Sequence, residues 1–198
     1  MTPNGTLRIA PLLAAMWLDL APRASTERRQ HTGLDIVCFV FGGALRYEPA
    51  GGPGATLRTE SVAVLSTGAG ADYRWRSVGD EPARAVMLWL LGRAEAGPRI
   101  GMQIASRAER LYEAAAIAGC DTWLPTSRDV RIFAGIVPVG GSLAHRARGR
   151  RCCILSTIGA IAANGVQAIA GKAVVIDRAR VIRISAMEST EVVILETP

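Results

Sequence analysis

Arg29-Gln30-His31-Thr32-Gly33-Leu34-Asp35, then six residues and Gly42, with Tyr73-Arg74-Trp75 downstream, has the outline of a metal-binding strand pair from which most ligands are missing. Alternate residues on a strand aim two side chains at one point, and a first-row metal needs several imidazole or carboxylate donors converging there. Here a single histidine, His31, stands among groups that bind metals poorly. Arg29 carries a permanent positive charge, and Trp75 offers only an N–H. Asp35 is expected to keep the side-chain parity of His31 and to supply one oxygen, or to pair with Arg29 in place of an ion. Asp72 is expected to point outward if Tyr73 points inward.

Outward from this stretch, glycine-punctuated β-rich runs follow one another at residues 34–41, 44–47, 61–65, 71–76 and 85–91, and again at 130–137, 152–157, 160–163, 173–176, 181–185 and 191–195. Many short strands at close spacing predict a sandwich or barrel. The halves overlay: Phe41-Gly42-Gly43-Ala44-Leu45 matches Thr157-Ile158-Gly159-Ala160-Ile161, and Ser61-Val62-Ala63-Val64-Leu65 matches Lys172-Ala173-Val174-Val175-Ile176. Such self-similarity predicts a duplicated β-domain. Asn164-Gly165 predicts a tight hairpin, because both residues tolerate positive φ. Between the halves, Ser106-Arg107-Ala108-Glu109 has the form of a capping box ahead of an alanine-rich stretch at 110–118. Local rules favour a short helix there, although 111–117 suits a sheet equally well.

Composition narrows the function classes. The 198 residues are 49% hydrophobic, enough for two small cores. The net charge of +6 comes from 23 basic residues of which Lys172 is the only lysine, and they are scattered along the chain. Few aromatics interleave with them, which disfavours nucleic acid as a partner. The densest basic run, Arg146, Arg148, Arg150 and Arg151, reads as a solvated loop. The apolar run at 9–18 follows a single cation, Arg8, and contains Pro11; it is too short to span a membrane and is expected to be an early strand or arm. Cys38, Cys120, Cys152 and Cys153 lack zinc-knuckle spacing and are expected to be reduced thiols of a cytoplasmic protein, with Cys152 and Cys153 on opposite faces of a strand. Gly-x-Ser-x-Gly is absent, and Gly68-Ala69-Gly70 lacks the lysine of a phosphate loop.

Four stretches together carry a family resemblance: His31-Thr32-Gly33-Leu34-Asp35-Ile36-Val37 running into Gly43-Ala44-Leu45; Ser66-Thr67-Gly68-Ala69-Gly70-Ala71-Asp72-Tyr73; Met87-Leu88-Trp89-Leu90-Leu91 with Gln103; and Leu124-Pro125 to Val137 with Gly141-Ser142-Leu143-Ala144-His145. In this order they resemble the pirin-type bicupins, the family that contains bacterial quercetinase-like proteins. The resemblance implies an all-β chain of two jelly-roll-like cupin barrels, over residues 1–104 and 105–198. It also implies a first-barrel metal centre held by a His-x-His pair and a His-x-Glu or similar pair. Carried over, those positions are Arg29 and His31, then Tyr73 and Trp75. With Asp35 they form the candidate ligand-binding site of a degenerate centre, without assigned catalytic residues.

Two functions follow as expectations. One is a metal-free, non-catalytic protein that binds a small aromatic or anionic ligand, or a protein partner. The other is a quercetinase-like dioxygenase using a divalent metal such as iron at low occupancy. His145 has no partner histidine, and on that count a second metal site is not expected.

Overall fold

In the computed structural model, which describes residues 9–120 and 122–198, the chain is almost entirely strand, arranged in four sheets. Arg8 lies outside the described residues. Two compact units form among the described residues, one from 9–104 with 124–128, the other from 105–120, 122–123 and 129–198.

The first unit contains β1 (Leu12–Leu20), β2 (Arg29–His31), β3 (Leu34–Gly42), β4 (Ala44–Pro49), β5 (Ala55–Arg58), β6 (Ser61–Ser66), β7 (Ala71–Ser77), β8 (Ala83–Leu91) and β9 (Arg99–Ile104). One sheet has the order β1-β8-β3-β6-β9 and the other β2-β7-β4-β5. Period-two alternation sends Ile36, Cys38 and Val40 of β3 into the same core as Tyr73 and Trp75 of β7. The apolar run at 9–18 is indeed a strand: β1 pairs antiparallel with β8 from Leu12 to Leu20.

The second unit contains a one-turn helix α1 (Arg107–Arg110), then β10 (Ala115–Gly119), β11 (Arg131–Val137), β12 (Ser142–His145), β13 (Arg151–Ile158), β14 (Ile161–Ala163), β15 (Val166–Ala168), β16 (Ala173–Ile176), β17 (Ile182–Ala186) and β18 (Thr190–Thr197). Its sheets run β10-β11-β18-β13-β16 and β12-β17-β14-β15. Laid on the first unit, β3 corresponds to β13, β8 to β18, β6 to β16, and the sheet β2-β7-β4-β5 to β12-β17-β14-β15. The internal match read from the sequence falls on this correspondence. Gly43 and Gly159 take φ of +64° and +74° at the two equivalent corners. This is the bicupin architecture.

Two local readings change. The helix expected over 110–118 stops at Arg110, and Ser106 makes no side-chain capping bond. Ala115, Ala116 and Ala118 pair instead with Ala134, Phe133 and Ile132 of β11, so sheet pairing and burial of Ile117 override alanine's helical preference. The segment Leu124–Arg128 sits with the first unit, where a split at 104/105 would have left it with the second. Ser127 N–H donates to the Asp35 carboxylate, and the Arg128 guanidinium donates to the Leu91 carbonyl at 3.2 Å.

Candidate functional site

In the first unit, β2 and β7 are neighbours, and their register sets Arg29 opposite Tyr73 and His31 opposite Ala71. The four expected positions Arg29, His31, Tyr73 and Trp75 therefore gather on one side of the barrel. Tyr73 and Trp75 are almost fully buried. With Tyr47 they form an aromatic cluster whose ring centroids are 5.5–6.1 Å apart. The Tyr73 hydroxyl lies 3.0 Å from His31 Nδ1 in a hydrogen bond. The His31 ring stands edge-on to Trp89 at 4.7 Å. The Arg29 guanidinium lies 5.8 Å from the Trp89 ring and donates to the Met16 sulfur at 3.9 Å.

The electrostatics suit neutral partners. Burial, and then the Arg29 guanidinium, lowers the pKa of His31. Burial raises that of Tyr73 well above the usual phenol range. A neutral imidazole and a neutral phenol thus share one hydrogen bond. Two of the polar groups nearby are donors alone: the Arg29 guanidinium, and the Trp89 indole N–H, which is buried without a hydrogen-bond partner among the described residues. A set of donors calls for an acceptor, the opposite of what a cation needs. The metal centre implied by the fold does not fit these residues.

Asp35 does not join this group. It is fully buried on the face of β3 opposite Ile36, where it accepts from the Ser66 hydroxyl at 2.8 Å and from the Ser127 N–H. The Arg29–Asp35 ion pair considered from the sequence does not form among the described residues. The reason lies at Gly33, whose φ of +67° ends β2 and turns the chain into β3, so parity counted from His31 across the turn is lost. Asp72 points away as expected, pairing with Arg28 at 2.9 Å.

The second unit carries a candidate donor cluster that the sequence reading did not anticipate. His145, Cys152 and Glu196, all buried, place one possible ligand atom each within 4.8 Å of one another. Cys152 and Glu196 are direct partners in the β13–β18 ladder and share a face. From the end of β12, His145 brings Nε2 to 2.8 Å from Glu196 Oε1. Counting histidines could not reveal this cluster, because cysteine and glutamate also offer ligand atoms and because the register pairing Cys152 with Glu196 is not local. An acid and a cysteine on strands equivalent to β8 and β3 were the only available signals.

His145 and Glu196 line a cleft of about 820 Å³, with Tyr112, Phe133, Arg131, Arg146 and Arg148 among its other walls. Arg131 continues the cross-strand row, facing Glu196 on the side away from Cys152. Arg146 and Arg148, read from sequence as a solvated loop, are exposed at the rim. Arg150 differs: its guanidinium holds Asp129 through contacts of 2.8–3.2 Å and keeps that carboxyl below its usual range. Both adjacent thiols are fully buried, Cys152 toward the unit's core and Cys153 on the opposite face, and burial pushes each up to about 12.

No protein-family model matches the chain. It is 26% identical over 189 residues to a Pseudomonas aeruginosa protein named "Putative quercetin 2,3-dioxygenase", and 24% identical over 191 residues to a Caulobacter vibrioides "Pirin-like protein"; each match covers 91% of this chain and 82% of the relative. Among solved structures, the nickel(II) complex of the bacterial pirin YhhW from Escherichia coli superposes with a TM-score of 0.82 at 17% identity, covering 95% of this chain and 82% of the other. The resemblance read from the four sequence stretches thus extends over most of the chain, and the fold is shared. No helix among the described residues is long and apolar enough to cross a membrane.

Proposed function

We propose that this pirin-like bicupin is a small-molecule-binding protein whose first barrel has given up its metal centre and whose ligand site is the arginine-rimmed cleft of the second unit. The cleft carries the reading. Its volume of about 820 Å³ suits a small organic ligand. Tyr112 and Phe133 offer ring faces, and Arg131, Arg146 and Arg148 offer guanidinium groups to an anion. An aromatic carboxylate or phenolate matches both kinds of wall. The first barrel supports the same division of labour from the other side: its expected ligand positions are filled by packed rings and a Tyr73–His31 hydrogen bond.

Calorimetric titration with quercetin and with benzoate tests this. Saturable binding is expected, weakened about tenfold by the double substitution Arg146→Ala, Arg148→Ala and unchanged by Arg29→Ala. Binding that depends on Arg29 and ignores the rim arginines sinks the assignment to the second unit, and absence of binding sinks the function.

A second reading, metal-dependent dioxygenation of a flavonoid-like compound, is favoured by one observation: of three buried donors that cluster together, His145 and Glu196 line the same cleft. Oxygen uptake on mixing quercetin with metal-supplemented protein would establish it over simple binding.

A further inference from the structure

From the placement of His145, Cys152 and Glu196 we infer that the second unit holds a borderline-soft divalent metal ion, zinc or a late first-row ion of similar preference, with one coordination position open to the cleft. The inference does not depend on the organic ligand proposed above, because metal uptake is read without any such ligand present.

Three observations converge. The donors are one nitrogen, one sulfur and one oxygen, with their potential ligand atoms mutually within 4.8 Å. A tetrahedral zinc sets such donors roughly 3.3–3.6 Å apart, so small side-chain rotations suffice. Each donor also keeps unused capacity. Cys152 Sγ makes only a 3.8 Å contact with the Arg150 carbonyl. Among the described residues, the second Glu196 oxygen has only the Arg150 Nε at 3.8 Å, and that Nε is buried without a hydrogen-bond partner. His145 Nε2 spends its bond on Glu196 Oε1, which a metal can replace for both.

Charge points the same way. A thiolate and a carboxylate together carry two negative charges, which a dication neutralises in a site where all three side chains are buried. On binding, the Cys152 S–H bond breaks, its proton goes to solvent, and the freed sulfur lone pair forms the bond to the metal; no oxidation state changes. Three protein ligands leave a four-coordinate ion one position short, and the cleft is where that position opens.

The duplication sharpens the contrast. The overlay that matches Phe41 with Thr157 places Ile36 at the position of Cys152, and Ile36 pairs with Trp89 as Cys152 pairs with Glu196. Beside them, Arg29 on β2, opposite Tyr73, stands where His145, opposite Ile182, stands on β12. The same corner of the fold is thus Arg–Ile–Trp in one unit and His–Cys–Glu in the other. The donor set lies in the unit opposite to the one the sequence frame indicates.

The experiment is a cobalt(II) titration of chelator-stripped, untagged protein. About one ion per chain is expected, with the near-ultraviolet charge-transfer band of a thiolate–cobalt bond and release of protons into weak buffer. Cys152→Ser removes the band, Glu196→Gln retains it while weakening binding about tenfold or more, and Cys153→Ser and His31→Ala leave both unchanged. If Cys152→Ser proves unstable, the wild-type band with the Glu196→Gln and Cys153→Ser results decides. No saturable uptake, uptake without the thiolate band, or loss of binding in His31→Ala overturns the inference.

Discussion

The Tyr73–His31 hydrogen bond joins two of the first-barrel positions at which the family resemblance implies metal ligands. Tyr73→Phe keeps the buried ring and removes only the hydroxyl, so the cost is the hydrogen bond, about 1 kcal/mol by urea unfolding. The lowered pKa of His31 carries a second expectation. Below pH 6.5 the unfolded chain takes up the His31 proton before the folded one does, so the unfolded state binds more protons and stability falls as pH drops through that window. His31→Gln removes this contribution, and the stability–pH curve of the variant is expected to be flatter just below pH 6.5 than that of the wild type. The gathering of Arg29, His31, Tyr73 and Trp75 on one side of the first barrel was legible from the family resemblance together with alternation on strands. Asp35 was not, because a positive-φ turn lies between it and His31.

At the level of elements, glycine corners and one Asn-Gly turn were readable because each is a local conformational demand. Asn164 and Gly165 both adopt positive φ and join β14 to β15, as the dipeptide predicts. The length of the helix was not readable, since the alanines of β10 answer to their partners on β11 rather than to their neighbours in sequence. Two glycines with the same backbone demand should differ in cost. A Cβ at Gly165 meets open space, whereas one at Gly43 comes within 2.4 Å of the Pro82 carbonyl oxygen. Gly165→Ala is expected to cost about 1 kcal/mol from strained φ alone, and Gly43→Ala clearly more, measured by thermal unfolding.

Over the whole molecule, the sequence disclosed the duplication but drew attention to the first unit, whereas the cluster of candidate metal donors lies in the second. Motif reading looked for histidines in a familiar order, and in the second unit Glu196 on β18 lies far along the chain from His145 and Cys152 on the consecutive strands β12 and β13. Zinc binding is therefore expected to slow amide exchange in β12, β13 and β18 while leaving β2 and β7 unchanged, as read by mass spectrometry. Uniform protection of both units, or protection confined to β2 and β7, contradicts that division.

Because Cys152 and Cys153 project from opposite sides of one strand, the sheet itself stands between neighbouring sulfurs. They cannot join to each other while β13 persists, since a bridge needs both Cβ atoms within a few ångström on a shared side. Both sulfurs are also shut away from solvent and held as thiols, so neither presents the accessible thiolate that a peroxide attacks. Without bound metal, the neighbouring pair is therefore expected to stay reduced through ordinary handling in air.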